Sequence, residues 1–142
     1  MFESVNKTWF IDIDGTLVKH LSNYSLDVLI EHSGENSYKE ETPIEGSVKF
    51  LNDIPKDDTI VITTARDKRH TSHTLKMLDH FKIRYDKVMF DLRSGPRIIV
   101  NDIKPVGTAG NTEPLKTAYA INVNRDEGIP SENNGEMLLS RV

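Results

Sequence analysis

The chain has 142 residues, 37% hydrophobic, 28% charged and 7% aromatic, enough for one buried core and too little for two. Its 18 basic and 22 acidic residues leave a formal charge of −4, which argues against an electrostatic grip on bulk DNA, RNA or an anionic membrane and leaves room for a local basic pocket. With no cysteine, disulfides, thiolate zinc sites and cysteine nucleophiles are excluded, and a cytoplasmic setting is the default expectation.

Residues 1–8 lack a basic segment ahead of an apolar stretch, and Asp12 interrupts the run 9–13, so neither a signal peptide nor a membrane span is expected. Short apolar runs follow at 9–13, 59–63, 87–90 and 97–100, with a weaker fifth at 118–123. Their length and β-branched content predict strands, and consecutive apolar positions predict strands covered on both faces. Helical stretches separate several of them. The expected fold is therefore α/β, a three-layer Rossmann-like arrangement with a parallel sheet of about five strands and helices on both faces. Ligands of such sheets bind beyond the carboxyl ends of the strands.

The chain reads as a single domain over 1–142. Residues 17–41 form a small polar flap whose apolar cluster at 26–30 suits a hairpin or a short helix. Thr42-Pro43-Ile44-Glu45 predicts a helix start by hydroxyl cap and early proline, with Ile44, Val48, Leu51 and Ile54 facing the sheet. A second helix is expected over about 67–80, with Thr71, Leu75 and Leu78 inward. Glycines and prolines at 104–117 predict a loop. The tail, 126–142, holds one apolar patch, Met137-Leu138-Leu139, suited to docking a terminal helix or pairing with another copy of the chain in a homo-oligomer.

Chemistry concentrates at Phe10-Ile11-Asp12-Ile13-Asp14-Gly15-Thr16-Leu17. A strand delivers Asp12, and Gly15 lets the backbone curl so that Asp14 converges on the same volume. Two carboxylates 4 Å apart repel by about 4 kcal/mol at an effective dielectric near 20; a divalent cation or a raised pKa on one acid relieves this. An ordinary Asx-rich turn after a core strand is the plain alternative. The second run ends in Thr63-Thr64-Ala65-Arg66, hydroxyls and a cation at a helix start, where exposed N–H groups favour an anion. The fourth ends in Asn101-Asp102. His70 and His73 are one helical turn apart without a third ligand nearby, so solvated histidines are expected.

These stretches resemble motifs of the haloacid dehalogenase superfamily, in their order, over about residues 9–102. The resemblance implies that Asp12 is a nucleophile forming an aspartyl phosphate and that Asp14 is the general acid and base. It assigns phosphate orientation to Thr64, with Gly15, Thr63, Ala65 and Arg66 around the substrate. It implies Mg²⁺ on Asp12, the Asp14 carbonyl and Asp102, completed by phosphate and waters. Asn101 replaces the first member of the usual acidic pair. The lysine motif is missing; Arg97, Arg93 and Lys87 are the candidates, Arg97 preferred. The ending Gly-Pro-Arg-x-x-x-Asn-Asp is similar to small capless members associated with capsular-polysaccharide and nucleotide-sugar biosynthesis.

The implied activity is magnesium-dependent hydrolysis of a small phosphate ester, a sugar phosphate first. Alternatives are a polynucleotide 3′-phosphatase-like activity and a non-catalytic phosphate-ligand binding module on the same fold. A receiver domain of two-component signalling fits less well, because its first-strand acids are adjacent and its phosphoacceptor comes on the third strand.

Overall fold

The computed structural model describes residues 6–130. In chain order it holds β1 (Thr8–Asp12), α1 (Asn23–Ser33), a 3-10 stretch (Gly34–Glu40), α2 (Glu45–Asp53), β2 (Thr59–Thr63), a 3-10 turn (Lys68–His70), α3 (Thr71–His80) and β3 (Lys87–Met89). The strands form one parallel sheet in the order β1-β2-β3. Thr8 pairs with Thr59 and Asp12 with Thr63, while Thr63 also pairs with Met89. The carboxyl ends of all three strands therefore lie at one rim. The chain is α/β in a Rossmann-like layout.

Alternation along the strands puts Ile11, Ile60 and Ile62 on one face. There they are buried in one cluster with Phe50, Leu51 and Ile54 from α2 and its end and with Met77 and Leu78 of α3. The other face presents Phe10, 54% exposed, and Met89, 48% exposed. Among the described residues the sheet thus has three strands and two packed helices on a single face, where about five strands and helices on both faces were expected.

The missing strands have a physical reason. A β-branched run becomes a strand only where it finds a paired edge and cover. The 97–100 run lies between Pro96 and Pro105, with Ile98 85% and Val100 93% exposed, and 118–123 likewise joins no sheet. Beyond β3 the described chain has one isolated bridge, Lys104 with Leu115, closed by two 2.8 Å backbone bonds, at the ends of the expected loop. The Met137-Leu138-Leu139 patch lies outside the described residues. No helix among them is long and apolar enough to cross a membrane.

The 26–30 cluster folds as helix α1, capped by Ser22, whose side chain accepts the Ser25 N–H at 3.1 Å. α2 starts later than Thr42 suggests: its N-cap is Ile44 with no side-chain bond. The Thr42 carbonyl accepts from Lys19 N and Ile44 N donates to Leu17 O, each at 2.8 Å, so 42–44 stays extended and closes the neck of the flap. In α3 the buried side chains are His73, Thr74, Met77 and Leu78; the helix turns His73 and Thr74 inward to meet buried charge described below.

Asp58 ties the start of the sheet together. Its carboxylate accepts from the Lys7 backbone N–H and the Trp9 indole, both at 3.0 Å, and pairs with Lys7 Nζ at 3.1 Å. Burial opposes ionisation, but the bonds from Trp9 and Lys7 outweigh it and hold the Asp58 pKa below the ordinary carboxylate value. A depressed carboxylate stabilises the fold above its unfolded pKa, and that contribution drains away as pH falls through the folded value, here below about pH 4. Asp58→Ala is expected to lose about 2–3 kcal/mol at pH 7 and to flatten the acid limb of the stability curve. Trp9, the only tryptophan, packs edge-on against Phe50 at 5.7 Å. Its fluorescence during urea titration at several pH values reads both effects directly.

Candidate functional site

The chain reverses sharply after β1. Ile13 O accepts from the amides of Thr16, Leu17 and Val18, and Gly15 N donates to Val18 O at 2.8 Å. Gly15 sits at φ +86°, a conformation costly for any residue with a Cβ. The turn opens Asp12 and Asp14 into a cavity of about 590 Å³, which His20, Asn23, Arg66, Arg97 and Arg125 also line. Cavities of that size hold small metabolites. Withdrawal from water raises the Asp12 pKa; the Ile13 amide opposes the rise, Asp14 adds to it, and Arg97 and the Thr16 hydroxyl oppose it. The two acids thus share one cavity with Arg97.

In the cavity wall, Arg66 is 2% exposed and has every N–H engaged. Nε donates to Asp14 Oδ2 at 3.0 Å and Nη2 to Asp14 Oδ1 at 2.9 Å. Nη2 and Nη1 donate to Glu41 Oε1 and Oε2 at 2.6 and 3.0 Å. Nη1 also donates to Thr74 Oγ1 at 3.1 Å. Those five bonds exhaust a guanidinium. Burial works against its charge, yet Asp14 and Glu41 push the Arg66 pKa further up. Burial likewise opposes ionisation of Glu41, and His73 and Arg66 reverse the sign and lower its pKa. His73 Nε2 meets Glu41 Oε2 at 2.7 Å and its Nδ1 meets Ser37 Oγ at 3.1 Å.

Arg66 therefore has no donor left for a phosphate; the contact expected from sequence is replaced by a clamp that fixes Asp14. Thr64 is wholly buried, its hydroxyl accepts the Arg66 backbone N–H at 3.0 Å, and neither Thr63 nor Thr64 lines the cavity, whereas Ala65 does. Arg97 lines it too, with Nη1 held by the carbonyls of Arg93 and Gly95. Arg93 and Lys87 do not line it. Asp102 stands apart as well: its side chain is 63% exposed and pairs with Lys104 at 3.0 Å. Among the described residues no group of three or more His, Asp or Glu side chains is placed to hold a metal. The structure brings Asp12, Asp14, Gly15, Ala65, Arg66 and Arg97 together, and does not bring Asp102 to them. The cause is the unpaired 97–100 run, which lacks the strand that would carry Asp102 to the rim.

The flap is fastened to the segment after β2 by histidine. Asn23 Oδ1 accepts the Asp67 N–H at 2.9 Å and Nδ2 donates to Ala65 O at 3.1 Å, which fixes the amide orientation. His70 Nδ1 meets that same Oδ1 at 2.9 Å, and Nε2 meets Asp27 Oδ1 at 2.7 Å. Both ring nitrogens face acceptors, so both bonds are made only when the ring carries two protons. Bonds from Arg69 first and His70 second lower the Asp27 pKa to about 2. His70 and His73 are 2% and 8% exposed, where solvated histidines were expected; each is buried because acids from the flap reach over it.

Sequence reading missed Glu41, Asn23 and Arg125. Glu41 carried no signal beyond its place at the flap's end. The run Asn124-Arg125-Asp126-Glu127-Gly128 has turn chemistry, and the turn docks: Asp126 N donates to Gly15 O, and His20 N to Asp126 Oδ1, each at 2.8 Å. No protein-family model, curated protein or solved structure matches the chain.

Proposed function

We propose that the chain is a magnesium-dependent phosphomonoester hydrolase that works through an aspartyl phosphate on Asp12, with a sugar phosphate or related small metabolite as substrate. The observation that carries this reading is the Asp-x-Asp-Gly-Thr turn at the carboxyl end of β1, opening both acids into a metabolite-sized cavity that also holds Arg97. In this reading Asp12 attacks phosphorus in line, and the ester P–O bond breaks. Asp14 gives its proton to the leaving oxygen, then takes one from the water that cleaves the acyl phosphate. Arg97 neutralises the phosphoryl oxygens. Both Asp14 oxygens already accept from Arg66, so a proton on either displaces one guanidinium bond, and Glu41 keeps Arg66 in place meanwhile.

For magnesium, the Asp12 carboxylate and the Asp14 backbone carbonyl would be the protein donors, since Asp102, the third ligand the resemblance implies, is paired with Lys104. Two protein oxygens suit an ion that keeps several waters and takes its remaining ligands from phosphate, and the two acids favour a cation. When bound, the ion would neutralise charge on nucleophile and phosphate.

The separate placement of Asp102 favours a second reading, a phosphate-ligand binding module on the same site without turnover. One assay divides the two. With the purified full chain, p-nitrophenyl phosphate hydrolysis that requires magnesium and is abolished by EDTA is expected of the hydrolase. Phosphate-ester binding by calorimetry with no turnover at any magnesium concentration assigns the module instead.

A further inference from the structure

We propose that Arg125 is a specificity-determining residue that binds a second phosphoryl group of the substrate, so that the preferred substrate is a small metabolite carrying two. The inference rests on the hydrolase reading for the group transferred and on Arg125's own placement for the group retained. Three cations line the cavity, Arg66, Arg97 and Arg125. Arg66 is consumed by Asp14 and Glu41. Arg97 lines the cavity with both acids, and the hydrolase reading pairs it with the transferred phosphate. Arg125 is left over: it is exposed, and among the described residues no side chain or carbonyl accepts from its guanidinium.

The backbone beside it is nonetheless anchored. The next residue donates its backbone N–H to Gly15 O at 2.8 Å, and Asp126 Oδ1 accepts from His20 N at the flap entrance. The Arg125 stem crosses the bare face of Gly15, where its Cγ lies 3.1 Å from the place a Cβ would occupy. An arginine whose neighbour's backbone is anchored at the cavity wall and whose planar fork is unspent matches a phosphate's paired oxygens. A cavity of about 590 Å³ exceeds what one phosphoryl group needs and admits a ligand that reaches both arginines.

The test compares glucose 1,6-bisphosphate with glucose 6-phosphate in magnesium. The wild-type chain is expected to prefer the bisphosphate in kcat/KM. Arg125→Gln should lower that preference about tenfold to a hundredfold, the usual worth of a charged hydrogen bond, through KM rather than kcat. Arg125→Lys should recover part of it. An unchanged preference in Arg125→Gln, with its Tm intact, overturns the proposal. If the wild-type chain hydrolyses neither these esters nor p-nitrophenyl phosphate, the hydrolase reading fails, and calorimetry in EDTA still reads the subsite. Tighter binding of the bisphosphate that Arg125→Gln equalises upholds it, and equal affinities in the wild-type chain overturn it.

Discussion

Arg66→Met is expected to destabilise the fold by about 3–5 kcal/mol, because it leaves two carboxylates in place around a side chain that carries no charge. Glu41 has a wholly buried side chain and Asp14 one that is 15% exposed, so neither reaches water well enough to compensate. For a domain of this length the loss lowers Tm by roughly 10–20 °C. Lysine is not a substitute: one ammonium on a flexible stem cannot span both carboxylates and Thr74 at once. Pairing Arg66→Met with Glu41→Gln should cost less than the two singles summed, since the second change removes an acid that the first leaves with His73 alone. Urea unfolding followed through Trp9 measures all three variants. A loss below about 1 kcal/mol in Arg66→Met would show that the clamp contributes little.

Asp12→Asn should show the opposite pairing of effects. If Asp12 is the nucleophile, the amide lowers kcat about 10⁴-fold or more. Stability should move upward at neutral pH. Asp12 has a raised pKa in the fold, so ionising it there is less favourable than in the unfolded chain, and folding gains when the charge is removed. Magnesium adds a third readout. An ion that binds only the folded chain raises Tm by mass action, so the wild-type chain should be stabilised by millimolar magnesium and Asp12→Asn much less. Activity retained in Asp12→Asn removes the nucleophile assignment. A lowered Tm in that variant removes the electrostatic one.

What the sequence reveals about this fold divides along a physical line. The runs at 9–13, 59–63 and 87–90 form the sheet because α2, legible from its apolar spacing, and α3, legible in place though not in its buried face, supply cover. The run at 97–100 has equal strand character and no partner, and character without a partner does not pair. The same division holds at the site. Asp12, Asp14 and Gly15 are readable because three adjacent positions on one strand end dictate their own convergence. Arg66 was readable as a residue and not as a role: whether it meets a phosphate or two acids depends on Glu41, 25 positions earlier in the chain, which no local pattern links to it. The burial of His70 and His73 escapes local pattern for the same reason, since each meets an acid of the flap.

The clamp also bears on how a ligand gets in. Its bonds join three separate stretches, at 14, 41 and 66, and Glu41 stands at the neck of the flap beside the Lys19–Thr42 bond. Lifting that hinge would strip ionic contacts from a dry interior, a cost of several kcal/mol at each opening. A ligand of the proposed kind is expected to enter from the opposite side of the cavity, past Ser94 and Gly95, which are exposed and need no buried ion pair to part. The doorway is thus built from the irregular part of the chain, and the regular part serves as the wall behind it.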